Sequence, residues 1–450
     1  MAKLHKSEGD INISPQREAW QKEHLDTKSR ALLDEDARYF LKQSLSTPCL
    51  NTMQACEGIY IEDLEGRRYM DFHGNNVHQV GFGNPEVIAA VKKQLDALSF
   101  CTRRYTNQTA VDLARKLAEI APGQLNKSLF CPGGAEAVGI ALKLARIATG
   151  RHKTISMWDS FHGATLETIS IGGEAVFRQN MGPLLSGTEH VPPADEYRCV
   201  FGCHNRGGCD LVCADYVEYI LEKEGDVAAV IAEPIRSTPY IPRPEYWQKI
   251  RQACDKHGAL LIFDEIPHAL GRTGKMFTFE NFGITPDIVV LGKGLGGGIL
   301  PIAGIIAHED LDVAAERALG HYTHEKNPVA CAAALAAIEY IENNKLVEHA
   351  RSLGLYSLDR LKEMKERHAL IGDVRGLGLF LGIELVKDQK TRARAAEEAE
   401  AVMYACLSKG LSFKITMGNI ITLTPALIIT KEEMDHALDI IENCLADIEK

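Results

Sequence analysis

Four apolar runs in this chain end in residues able to do chemistry: "FCPGGAEA" from Phe130, "IAEPIR" around Glu233, "IFDEIPH" around Asp264 and "VVLGKGLGGG" around Lys293. Ligands of an open α/β sheet sit beyond the carboxyl ends of its strands, so a site is expected where these four runs stop. In the first, Gly133, Gly134 and Ala135 precede a helical pattern. Small residues there let backbone N–H groups approach an anion at the positive end of the helix dipole, which suits a phosphate; a plain strand-to-helix turn would use the same residues. Gly292, Gly294 and Gly297 match G-x-G-x-x-G by count, but the chain runs on through Pro301 into another apolar run rather than a helix, which excludes the dinucleotide fingerprint. A P-loop is excluded too, because Lys293 is followed by glycine and position 287 is aspartate. What remains is a lysine at a strand end, flanked by glycines that leave room for a bulky planar group. Partial desolvation would suit such a lysine to Schiff-base formation; a solvated loop lysine is the alternative. A phosphate cradle, a strand-end carboxylate and a strand-end lysine together meet the needs of pyridoxal phosphate, in which the carboxylate keeps the ring nitrogen protonated and the lysine holds the aldehyde carbon.

The elements that would position these residues are legible as an alternation. Helix-length patterns ("AVDLARKLAEIAP", "AEAVGIALKLARIATG", "PEYWQKIRQACDKHG") alternate with short apolar runs ("KSLFC", "VAAVIAEPI", "ALLIFDEI", "DIVVLGKGL", "PIAGIIA"). That texture predicts an α/β fold, a large domain over residues 60–330 with a mostly parallel sheet wrapped by helices. Residues 331–450 change to a long alanine-rich helix followed by strands, which predicts a small α+β domain, completed by an N-terminal segment over 1–59. Its last helix is expected to start at Thr430, with Glu433 closing a capping box. With 450 residues and 45% hydrophobic content the chain can bury a sizeable core, and its net charge of −11 excludes a nucleic-acid footprint. The N-terminus has no apolar signal core, and the run "VACAAALAAIEYI" is too short to span a bilayer, so a cytoplasmic protein with free thiols is expected.

From about residue 50 onward the chain resembles the class III aminotransferases of fold type I, pyridoxal-phosphate enzymes. The resemblance is carried by "GGAEAVGIALKLAR", "FHGATLETIS", "VIAEPI", "LIFDEIPHALGRTGKMF", "PDIVVLGKGLGGG", "THEKNPVACAAALA" and "IGDVRGLGLFLGIELVKD", in family order. It implies that Lys293 is the Schiff-base lysine and Asp264 the partner of the pyridine nitrogen. Phe161 would stack on the cofactor, with Gly133, Gly134 and Ala135 at its phosphate and Glu233 supporting the ring. Thr323 would reach the phosphate of a neighbouring subunit, since family members are homodimers with shared active sites.

Departures from the family pattern bear on the reaction. Pro267 stands where a glutamine usually contacts the cofactor ring, His268 where a small residue is usual, and Gly133 in place of a serine. Members that bind an α-carboxylate carry an arginine where this chain has Thr422. Losing a charge-assisted contact of ~1.5–3 kcal/mol argues against an obligatory amino-acid or keto-acid partner, and a lyase needs none. Arg103, Arg104 and Arg236 are cations suited to a tetrahedral anion, although any of them would serve equally as an ion-pair residue. "TRRYTNQTAVDLARKLAEIAP" resembles the phospholyase branch of the family. The expectation is a carbon–nitrogen lyase that releases ammonia from an aminophosphonate bearing a hydroxyl. Lys293 would act as base, His268 as acid for the departing hydroxyl, and Asn76 would border the substrate. The alternatives are an ω-aminotransferase on an amine without an α-carboxylate, a phospholyase that expels phosphate, and a non-catalytic cofactor-binding protein.

Cys199, Cys203, Cys209 and Cys213, with His204 among them, are separated by three, five and three intervening residues. These spacings are compatible with a zinc cage but match none of the common finger and ribbon forms, so loop packing is the expectation, metal the alternative, and no metal is assigned.

Overall fold

The computed structural model describes residues 13–203 and 207–450; His204 lies outside the described residues. The central sheet, among the described residues, has seven strands in the order Leu125–Cys131, Ala303–His308, Ile288–Leu291, Leu260–Asp264, Val227–Ala232, Lys153–Met157 and Thr188–Val191. The last five run parallel to one another, and only Ala303–His308 opposes its neighbours. Strands sealed on both faces carry continuous apolar runs rather than alternation, and every residue of Val227–Ala232 and Ile288–Leu291 is buried.

The helix Gly134–Thr149 lies against one face of this sheet, its Ala137, Ile140 and Ala141 in one cluster with Ile231, Ile262, Ile288 and Val290. It ends on Gly150 at φ 68°, a left-handed cap that glycine adopts without strain. Opposite, Pro244–His257 buries Tyr246, Trp247 and Ile250, and Trp247 meets Phe263 edge-on at 4.7 Å.

Past residue 330 the helices Pro328–Asn343 and Leu346–Arg367 lead to an antiparallel sheet built on Ile371–Leu377, Phe380–Asp388, Ile420–Leu423 and Lys414–Thr416. The start of the chain is tied to this end. Leu411 and Ser412 pair in parallel with Met70 and Asp71, and Trp20 Nε1 donates to Ser408 Oγ at 3.1 Å. Fully buried Arg272 straps the two parts together by donating to the carbonyls of Leu379 and Pro425. The final helix, Lys431–Ile448, carries the expected capping box: Thr430 Oγ1 accepts from Glu433 N at 3.1 Å, and Thr430 N donates to Glu433 Oε2 at 2.9 Å.

Candidate active site

Strand register brings the four strand ends to one edge. Ala232 stands opposite Phe263, Asp264 opposite Val290, and Leu291 opposite Gly304, next to the Ala303–Cys131 pair. Glu233, Asp264, Lys293 and the Gly133–Gly134 turn therefore emerge side by side. Asp264 is 2% exposed and both its oxygens are held, Oδ1 by Ile266 N at 3.1 Å and Oδ2 by His162 Nδ1 at 2.8 Å. His162 is equally buried, and its Nε2 has no hydrogen-bond partner. Glu265 points to the other side of the strand and accepts the backbone N–H groups of Thr278 and Phe279 at 2.7 and 2.8 Å. Burial pushes its carboxyl up to about 8 despite those donors. Of the adjacent acids, only Asp264 belongs to the ligand side.

Gly133 caps the helix Gly134–Thr149 in extended conformation without a side-chain bond, which leaves the first turn's N–H groups open to an anion. A Cβ on Gly134 would stand 2.7 Å from Ile266 Cδ1, and one on Gly292 3.4 Å from the same side chain. Ile266 is thus a shared wall between cradle and lysine turn. Lys293 is half-buried and holds φ 46° at the head of a short 3-10 turn. A non-glycine residue in the left-handed region costs ~1–3 kcal/mol and persists where its surroundings impose it. Here Gly294 lies against the amide of Gln79, with no room for a Cβ.

Phe161 donates its N–H to Glu233 Oε1 at 3.2 Å, and its ring centre lies 4.4 Å from that of Phe177. Gly163, at φ 124°, lets this loop touch the cradle, since a Cβ would stand 2.6 Å from Ala135 Cβ. Glu233 acts on this loop's backbone and on Ser237 N at 3.0 Å.

Two expectations need correction. Arg236 is not offered to a ligand: its guanidinium is buried between Glu233, at 2.9 and 3.0 Å, and Glu174, so two carboxylates already neutralise it. His268 is fully buried in the turn after Asp264, closed by His268 N to Glu265 O at 3.0 Å, with its ring edge-on to Phe380 at 4.8 Å. A ring packed in this way is held by the core rather than offered to the cleft.

Arg103 and Arg104 are exposed, and so is Thr323. Their segments meet: Phe100 packs edge-on against His324 at 5.5 Å, and Asn107 Nδ2 donates to Lys326 O at 2.9 Å. Asn76, at φ 59°, has a buried, unpartnered Oδ1 in the Gly74–Asn76 turn, which packs beside the Lys293 turn. Thr422 offers no cation; its hydroxyl lies 2.9 Å from Thr416 Oγ1. Sequence reasoning missed His162 and Ile266. The position of Ile266 two residues past a strand-end acid was a usable signal; nothing local marks His162 as the residue that reaches Asp264.

An anion cradle that tolerates no side chain, a fixed carboxylate and a strained lysine fit pyridoxal phosphate, a fold type I arrangement. Residues 42–445 match the family model for class III aminotransferases, and the chain belongs to that family. It is 50% identical to the (R)-1-hydroxy-2-aminoethylphosphonate ammonia-lyase of Vibrio splendidus, over 98% of this chain and 95% of that one. An aminotransferase structure from Bacillus anthracis superposes with a TM-score of 0.86 at 32% identity, covering 94% of this chain and 100% of that one. A PLP-bound amine transaminase from an uncultivated Pseudomonas species gives 0.82 at 30% identity, covering 88% and 94%.

Proposed function

We propose that this protein is an ammonia-lyase that converts 1-hydroxy-2-aminoethylphosphonate to phosphonoacetaldehyde and ammonia. The cofactor is pyridoxal phosphate. The observation that carries the substrate is the likeness to the Vibrio splendidus lyase along nearly the whole chain; the uncharged, internally bonded Thr422 agrees with a substrate that has no α-carboxylate.

Gly133, Gly134 and Ala135 would hold the cofactor's phosphate, Asp264 its ring nitrogen and Phe161 one ring face. When bound, the cofactor withdraws electron density from the carbon that bears the substrate nitrogen. Lys293 Nζ takes the proton from that carbon. With His268 fully buried, Lys293 Nζ would also return a proton to the departing hydroxyl. The C–O bond breaks as water leaves, and water is taken up again as ammonia is released, so substrate balances aldehyde plus ammonia. Asp264, fixed by His162, holds the ring proton throughout, and Asn76 borders the substrate.

A homodimer is part of this proposal. Leu95, Leu98, Phe100 and Tyr105 are 38–66% exposed on one stretch beside the Thr323 loop, and burying them between subunits would carry Arg103, Arg104 and Thr323 together toward the partner's site. We place the protein in the cytoplasm; no helix among the described residues is long and apolar enough to cross a membrane.

The test is a pair of substrates. With 1-hydroxy-2-aminoethylphosphonate, ammonia release is expected; with 2-aminoethylphosphonate, which lacks the hydroxyl, none is. A second reading, an ω-aminotransferase, draws on the solved aminotransferase relatives. Turnover of 2-aminoethylphosphonate with a keto acid, and none of the hydroxylated compound alone, would favour it.

A further inference from the structure

The connection between Thr188–Val191 and the helix Val212–Glu224 carries Cys199, Cys203, Cys209 and Cys213, and in the folded chain all four line one cavity of about 20 Å³ beneath Tyr246. All are free thiols. Tight turns gather them: Gly202 N donates to Cys199 O at 2.9 Å, Gly208 N to Cys203 O at 3.4 Å and Ala214 N to Leu211 O at 2.8 Å, with Gly202, Gly207 and Leu211 at φ 70°, 85° and 60°. These turns bring all four cysteines to the lining of the one cavity.

A cavity of this volume takes one small ion or one water, and four sulfurs around such a volume are what a tetrahedral thiolate site requires. Arg243 also lines the cavity, paired to Glu196 at 2.8 Å, with Asp195 in the same lining.

We propose that Cys199, Cys203, Cys209 and Cys213 form a structural zinc site, which replaces the packing role the spacing suggested. Among the described residues no group of three or more His, Cys, Asp or Glu is already placed to hold a metal ion. Zinc would complete the convergence and four thiol protons would leave, so that ion binding and local folding are coupled. The site's role is to pin the loop that carries Arg198, whose guanidinium reaches Glu384 in the C-terminal sheet.

The experiment is metal analysis of the full-length holoenzyme, produced with zinc in the medium and purified without chelator in reducing buffer. About one zinc per chain is expected, released in step with mercurial titration of four thiols. Cobalt-loaded protein should show the strong sulfur-to-metal visible absorption of a tetrahedral thiolate site. Cys209→Ser should lose the metal while retaining cofactor absorbance, and Cys209→His, which keeps a ligand, should retain zinc. Wild-type protein without stoichiometric metal, zinc unchanged in Cys209→Ser, or iron in place of zinc would each overturn the assignment. Wild-type content decides the matter even where a variant misfolds.

Discussion

Asp264 faces the ligand with one oxygen on a backbone N–H and the other on an equally buried imidazole, so its orientation is set before any ligand arrives. Because His162 acts through Asp264, His162→Gln should lower kcat by roughly 10–100-fold, the scale of a lost charge-assisted bond, and speed cofactor loss on dialysis, with Tm little changed. Loss of Tm with kcat intact would assign His162 to packing alone. For His268 the expectation is the reverse. His268→Ala removes a ring wedged against Phe380 and should cost ~2–4 kcal/mol of stability, read by denaturant melts, while kcat stays within a few-fold; a thousandfold fall in kcat at unchanged stability would return it to the chemistry. Asp264 and Lys293 were legible because a charged residue at the end of an apolar run has few other uses. His162 was not, because its partner lies 102 positions away and only the fold joins them. The role given to His268 rested on its departure from the family pattern, which does not say whether the ring faces the site.

At the scale of elements, glycine and strain organise the site. The helix that begins at Gly134 and the Lys293 turn both close on Ile266, so Gly134→Val should push the cradle away from its anion and weaken cofactor retention at least tenfold, measured by titrating apoenzyme with pyridoxal phosphate. The ion cluster behind Phe161 is structural. Arg236→Met would leave Glu174 and Glu233 buried without their shared cation, at a cost of ~3–5 kcal/mol, visible as a lower denaturation midpoint whether or not substrate is present. The parallel sheet was legible from apolar runs that never alternate, and the last helix from its Thr430–Glu433 box, since both signals are local. The seam between Leu411–Ser412 and Met70–Asp71 was not, because short pairings of distant segments leave no periodicity to read.

At the scale of the molecule, stability at low pH is tied to the segment beside the lysine turn. Burial, then the Arg272 guanidinium, holds the His78 imidazole down to about 3, against an opposing hydrogen bond to Asp71 O. The unfolded chain therefore binds a proton that the folded chain refuses, and stability falls as pH drops from about 6.5 toward 3. This one group contributes at most ~1.4 kcal/mol per pH unit. His78→Gln should flatten that part of the acid limb in Tm-versus-pH curves; an unchanged limb would place the sensitivity elsewhere. The same molecule, assembled as a dimer, is proposed to run an elimination that leaves its cofactor as it found it. The most direct measurement of that claim is sustained turnover: reconstituted enzyme, excess 1-hydroxy-2-aminoethylphosphonate, no keto acid, with ammonia and aldehyde counted per active site. Equal amounts of both, far beyond one per site, are predicted. A single turnover that halts with the cofactor in its amine form until a keto acid is added would contradict the account and make the protein a transaminase.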